Sequence, residues 1–189
     1  MGDMDETGLL ERARNGNEHA FSELFSTHQR RLFRYAAYMA GADAADDIVQ
    51  DTFLAVLGQR DRHDQPTGTV ASYLIGIARH LVMKRHERTA GWSLVADDDL
   101  DRAPSAEPDA LDRLLAAESV DSIRAAVLSL PPVYREAVVL CELEDLDYAG
   151  AAAVMQCPVG TVRSRLSRAR GLLAQKLTVT LRDTIGERR

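Results

Sequence analysis

The chain is poor in cysteine, in aromatic residues and in long apolar runs, and each shortage removes a class of protein. Of 189 residues only two are cysteine, Cys141 and Cys157. No Cys-x-x-Cys spacing accompanies them and the five histidines are scattered. A disulfide framework or a zinc site is therefore not expected, and two buried thiols in a reducing compartment are. Aromatics make up 5% of the chain while alanine is common, a balance that favours helices over a sheet. The longest uncharged stretches, 65–78 and 148–162, are too short to cross a bilayer, and Pro158 breaks the second. Asp3, Asp5 and Glu6 stand where a signal peptide would carry basic residues. The expectation is a soluble, cytoplasmic protein without membrane insertion. There is also no Gly-rich phosphate loop, no metal-ligand spacing and no nucleophile–base grouping, so the sequence argues against an enzyme and implies no cofactor.

What is present is a helical pattern with strongly uneven charge. Hydrophobic residues reach 46%, enough for a packed core, and the length allows one or two domains. The net charge of −6 and a pI near 5.4 are low for a nucleic-acid binder. Segment 97–121, however, holds nine acids against Arg102 and Arg113, and DNA affinity follows local patches more than the total.

Glu6 to Arg14 reads as a short helix closed by Asn15-Gly16-Asn17. Phe21, Leu24, Phe25, Leu32, Tyr35, Ala36 and Met39 recur at helical spacing, and Gly41 ends that helix. Asp43 is placed to cap the next, which carries Ile48, Val49, Thr52, Phe53, Val56 and Leu57 on one face. Residues 58–68 form a polar loop with Pro66 and two glycines. A further helix begins near Thr69, with Val70, Leu74, Ile77, Ala78 and Leu81 inward, and ends in Arg79, His80, Lys84, Arg85, His86 and Arg88. Residues 89–108 are rich in Asp, Ala and Pro and read as an acidic linker. A helix is expected from about Asp109 to Leu128; then Pro131-Pro132 restarts the chain, and Val133, Ala137, Leu140 and Cys141 make a core face. The fold class is all-α: two helical domains, 1–88 and 109–189, joined by a flexible linker.

The densest signal lies at the C-terminal end. A short helix, Tyr148 to Met155, precedes Cys157-Pro-Val-Gly-Thr-Val-Arg-Ser-Arg-Leu-Ser-Arg-Ala-Arg170. Pro158 suits a first helical turn. Val162, Leu166, Ala169 and Leu173 recur at spacings of four, three and four and form one buried stripe. Arg163, Arg165, Arg168 and Arg170 fall mostly off that stripe, and no acid lies between Gln156 and Lys176. Two helices joined by a tight turn, the second basic, form a helix-turn-helix that offers a recognition helix to the DNA major groove. A solvated basic face is the plain alternative, but such faces usually carry compensating acids.

These residues resemble the sigma-70 family of bacterial transcription initiation factors, and within it the small two-domain extracytoplasmic function (ECF) group. Leu130-Pro-Pro-Val-Tyr-Arg-Glu-Ala-Val-Val-Leu140 followed by Cys157 to Arg170 is similar to the family's domain that binds the −35 promoter element. Asp46-Asp-Ile-Val-Gln-Asp-Thr-Phe-Leu54 resembles the helix that docks on the polymerase clamp, and Tyr73-Leu-Ile-Gly-Ile-Ala-Arg-His-Leu81 the helix that meets the −10 element. The likeness covers roughly residues 18–88 and 110–177. It implies a non-catalytic subunit that binds core RNA polymerase and promoter DNA, helps melt the −10 DNA, and is held inactive by an anti-sigma factor. The sequence departs from the family at Tyr148-Ala-Gly-Ala-Ala-Ala153, which is unusually small and apolar. There, Gly150 should cost its helix about 1 kcal/mol against alanine. It also departs at His80 and Tyr73, where asparagine and tryptophan are common.

The resemblance assigns Asp46, Asp47, Val49, Gln50, Asp51 and Phe53 to core polymerase. Asp46 also suits the helix dipole, and Val49 and Phe53 fit the core, the interface or both. It assigns Arg60, Arg62, Tyr73, Arg79, His80, Lys84 and Arg85 to −10 DNA, through phosphate neutralisation and stacking on exposed bases. Tyr73 fits the core equally. The 58–68 loop, with Arg60, Arg62 and His63 as candidates, occupies the place where the family holds a flipped base. Gly160, Thr161, Arg163, Ser164, Arg165 and Arg168 would face the −35 duplex. The linker acids Asp97, Asp98, Asp99 and Asp101 either mimic nucleic-acid charge inside polymerase or serve solubility; changing them to Asn and measuring abortive synthesis separates the two. A dimeric operator-binding regulator is the rival reading, but it needs a dimer surface and usually a sensing domain, neither of which is evident in the sequence.

Overall fold

The computed structural model describes residues 3–58, 68–88 and 120–186. Every regular element among them is helical: α1 (Asp3–Arg14), α2 (Glu18–Ala40), α3 (Ala42–Gly58), α4 (Val70–Arg88), α5 (Val120–Leu128), α6 (Pro132–Val138), a π-helical turn (Val139–Leu143), α7 (Tyr148–Met155) and α8 (Val159–Gly186). The acidic linker and the expected helix before Val120 lie outside the described residues, as do Arg60, Arg62 and His63. No described helix is long and apolar enough to cross a membrane.

Local chemistry sets the breaks. The Asn17 side chain accepts a hydrogen bond from the Ala20 amide and starts α2. Gly41 stops it at φ 90°, a backbone angle that favours glycine. Asp43, expected as the cap of α3, instead lies in its first turn, because the Gly41 carbonyl already accepts the Ala44 amide; there it favours the helix dipole. The Thr69 hydroxyl oxygen caps α4 by accepting the Ser72 amide. Pro131 precedes α6 and Pro132 occupies its first position, where a missing N–H costs nothing.

The helices form two groups. In the first, α2 packs on α1, α3 and α4, and α3 on α4; in the second, α8 packs on α5, α6 and α7. The expected core positions of α2 and α3 are largely buried, and Ile75 and Val82 join those read from α4. Cys157 and Cys141 form no disulfide and are only half-buried. Burial, with Glu142 adding to it, pushes the Cys141 thiol up to about 11 and keeps it protonated at neutral pH.

The groups do not stand apart. α4 packs on α7, while α2 meets α6 and the π-helical turn. The buried apolar residues of both groups form one continuous cluster. Two carboxylates sit in this junction. Glu136 of α6 is 1% exposed and Glu144, just past the π-helical turn, is 0% exposed.

Candidate nucleic-acid interface

The helix-turn-helix is built as its residues dictate. Asp147 caps α7 by accepting the Gly150 amide at 2.7 Å. A Cβ on Gly150 would meet that same carboxylate oxygen at 3.0 Å and Leu146 at 3.7 Å. The glycine read as a weak point is therefore the residue that lets the cap close. Gln156 leaves α7 in the left-handed region, φ 54° and ψ 45°, and the Cys157 amide returns to the Ala152 carbonyl at 3.1 Å. Pro158 lies one residue before α8 rather than inside its first turn; its carbonyl accepts the amides of Thr161 and Val162.

The α8 stripe of Val162, Leu166, Ala169 and Leu173 is buried. That burial sets the opposite face. Gly160, Arg163 and Ser164 are exposed, with Thr161, Arg165 and Arg168 half-buried beside them. Open space surrounds Gly160, so a duplex backbone can approach closely there. The Ser164 hydroxyl donates to the Thr161 carbonyl at 3.0 Å. The Arg163 guanidinium lies 5.4 Å from the centre of the Tyr148 ring, a cation–π contact across the two helices of the motif. Arg170 donates to Glu142 at 2.5 Å and is drawn away from this face.

α3 divides into two faces. Asp46, Asp47, Gln50 and Asp51 are exposed. Asp46, Asp47 and Gln50 edge a groove of ≈ 840 Å³ between α2 and α3, with Val49 on its lining and the half-exposed Phe33 opposite. Phe53 takes no part in that groove. It is 2% exposed, with its ring centre 4.9 Å from that of Phe25 and 5.9 Å from that of Phe21. The two polymerase-facing assignments that could have been core are thus buried: Phe53 is wholly a core residue and Val49 is buried at the groove floor.

The expected −10 face is the one most altered by tertiary packing. Tyr73 is half-buried and engaged: Arg14 donates to its hydroxyl at 2.6 Å and lies 5.2 Å from its ring centre. Arg79 does not project toward solvent. Its Nε donates to Glu136 Oε1 at 2.8 Å with its side chain 12% exposed. His80, Lys84 and Arg85 remain exposed. His80 and Lys84 edge a cleft of ≈ 850 Å³ whose other wall is Ala153, Val154 and Gln156 at the end of α7. Among the described residues no cluster of histidine, cysteine and carboxylate suits a metal ion.

Sequence reasoning missed the residues of the junction itself. Tyr35, fully buried, donates from its hydroxyl to Glu136 Oε1 at 2.9 Å. Burial, and then the Glu136 charge, raise the Tyr35 pKa well above the phenol range, so it remains a donor. Arg34 grips Glu144 in bidentate fashion, Nε to Oε1 at 2.6 Å and Nη2 to Oε2 at 2.9 Å, with Arg31 Nε 3.3 Å from Oε2. That hydrogen bonding raises the Arg34 pKa further. Arg135 donates to the Tyr38 carbonyl at 3.1 Å and the Leu130 carbonyl at 3.0 Å. A signal was available: Glu136 sits three residues after Val133 and four before Leu140, and Glu144 four after Leu140, so both acids fall on an apolar face. A carboxylate on such a face implies a cationic partner.

Both helix groups have relatives among known proteins. Residues 24–92 match Sigma-70 region 2 and residues 121–173 match Sigma-70, region 4. A probable RNA polymerase sigma-C factor of Mycobacterium bovis is 34% identical over 173 residues, 88% of each chain. The ECF RNA polymerase sigma factor EcfG of Rhodopseudomonas palustris is 32% identical over 82% of this chain and 83% of its own. Among solved structures, CnrH in complex with the cytosolic domain of CnrY superposes with a TM-score of 0.64 at 26% identity, over 94% of this chain and 97% of that one. The sigma factor RpoE of Bartonella quintana, solved with the anti-sigma factor NepR, shares the fold at a TM-score of 0.63 and 24% identity, over 84% of this chain and 97% of that one. The chain belongs to the sigma-70 family of transcription initiation factors, within its ECF group.

Proposed function

We propose that this chain binds core RNA polymerase in the cytoplasm, directs it to promoters with −35 and −10 elements, and assists melting at the −10 element. The observation that carries this is the α7–turn–α8 unit, whose buried stripe leaves Arg163 and Ser164 exposed, with Arg165 and Arg168 half-buried beside them. Arginine can bridge phosphates or clamp the O6 and N7 edge of guanine. The exposed acids Asp46, Asp47 and Asp51, with Gln50, supply a docking face for basic residues of the polymerase clamp. His80, Lys84 and Arg85 offer cationic contact to the melted strand. An anti-sigma factor is the inhibitor that the family implies, and CnrH, a related fold, is seen with the cytosolic domain of CnrY.

Run-off transcription with purified core polymerase on a pool of randomised promoters tests the reading. Chain-dependent transcripts enriched for a two-part motif support it. Binding to a palindromic duplex without polymerase, and no stimulation with it, would replace it by an operator-binding regulator. Within the motif, Arg165→Ala should cost about 1–3 kcal/mol on the preferred −35 sequence if the side chain clamps a guanine; an equal loss on all duplexes would make it a phosphate contact.

A further inference from the structure

The junction between the two helix groups joins buried carboxylates of one to cations of the other. Every hydrogen-bond and ion-pair partner identified for Glu136 and Glu144 lies across it: Tyr35 and Arg79 for the first, Arg34 and Arg31 for the second. A carboxylate gripped by two nitrogens of a guanidinium has the same fork geometry by which arginine takes a phosphate. Tyr35 of α2 and Arg79 of α4 share one oxygen of Glu136. Arg31, Arg34 and Arg79 therefore lie along one strip of the first helix group, and the second group neutralises that strip.

This packing is incompatible with occupying a promoter. The −35 and −10 elements lie about 25 base pairs apart by their names, or about 85 Å at 3.4 Å per pair. α4 and α8 both pack on α7, and packed helices lie about 8–10 Å apart, so the two DNA-facing helices are separated by about 20 Å. Reaching both elements requires the groups to part. Parting strips Glu136 and Glu144 from their arginines.

Resting on the reading of α4 and α8 as DNA-facing helices, we infer that Glu136 and Glu144 stand in for nucleic-acid phosphate. In the free chain they occupy Arg79, Arg34 and Arg31; in the opened chain these three arginines bind the nucleic-acid backbone, Arg31 and Arg34 being contacts outside the family-like motifs. The binding-competent fraction, and with it the apparent affinity of the free chain, is set by these pairs.

The probe is a fluorescein-labelled oligothymidylate, titrated with the full chain alone and followed by anisotropy across salt concentrations, with small-angle scattering on the same samples. Glu136→Gln with Glu144→Gln should enlarge the chain and tighten binding by about tenfold or more. Adding Arg31→Gln, Arg34→Gln and Arg79→Gln should return affinity to the starting level and flatten the salt slope by about 2, since each single-strand phosphate contributes about 0.7. The idea is overturned if the glutamate variant stays compact with unchanged affinity, or if the arginine changes leave affinity and slope of the opened chain untouched. Should the glutamine variant fail to fold, a charge exchange decides: Glu144→Arg opens the chain and raises affinity, and Glu144→Arg with Arg31→Glu and Arg34→Glu closes it again. An exchange that does not reclose sinks the inference equally. Run-off transcription by the unaltered chain keeps the initiation-factor reading separate, because it can succeed while every oligothymidylate result goes against phosphate mimicry.

Discussion

His28 is the residue whose chemistry departs most clearly from its sequence context. It is 4% exposed, its Nε2 has no hydrogen-bond partner, and burial, helped by the Arg31 charge, lowers its pKa to about 4. Glu6 lies 3.7 Å from Nε2, but a neutral imidazole makes no ion pair there. The folded pKa is below the unfolded value of 6.5, so between 6.5 and 4 the unfolded chain binds the extra proton and stability falls as the solution is acidified. The loss is at most about 3 kcal/mol, complete near pH 4. Urea unfolding across this window should show a steeper decline for the natural chain than for His28→Leu; parallel curves would mean His28 titrates normally. Gly150 makes a second prediction at this scale. Alanine in a helix interior normally gains about 1 kcal/mol over glycine, but here its Cβ meets the Asp147 cap at 3.0 Å. Gly150→Ala should bring no rise in melting temperature, and a rise of several degrees would show that the cap yields freely.

At the scale of the element, α3 carries a core face and the exposed face proposed to dock on polymerase. Phe53→Ala removes a ring packed among Phe21 and Phe25 and should cost about 3–5 kcal/mol in chemical denaturation. Asp47→Asn on the exposed face should leave stability within about 0.5 kcal/mol while weakening capture of core polymerase in a surface-binding assay. A polymerase defect in a fully folded Phe53→Leu chain, with none in Asp47→Asn, would reverse the division. α6 shows how an element acquires a role through its ending. The π-helical turn Val139–Leu143 adds a residue to the last turn, and the Glu144 amide reaches back to the Val139 carbonyl at 3.0 Å. π-helical turns are often found at functional sites. Here the turn ends at an acid that meets both Arg31 and Arg34.

For the whole molecule, the junction couples the stabilities of the two helix groups. Breaking one partner of a buried pair is strongly destabilising, at about 3–5 kcal/mol, because it leaves an uncompensated charge. Calorimetry of the natural chain should therefore show one transition with matching calorimetric and van't Hoff enthalpies. Arg79→Gln together with Arg34→Gln should separate it into two. Two transitions in the natural chain would show that the groups unfold independently despite the contacts between α4 and α7.

The helices were legible because burial of an amphipathic stripe is a local property. Val162, Leu166, Ala169 and Leu173 had to share a face, and so their neighbours Arg163 and Ser164 had to leave it. The family resemblance was legible as well, because each motif that carries it is a contiguous run of residues. The state of the arginines and acids was not local. Arg79 reads as one more cation on a basic helix end until Glu136, 57 positions later, meets it, and Arg34 has no visible partner until Glu144 arrives from 110 positions away. Periodicity assigns a side chain to a face, but long-range packing assigns that face a neighbour. A charge loses its water and takes a counter-charge only when that neighbour comes into contact.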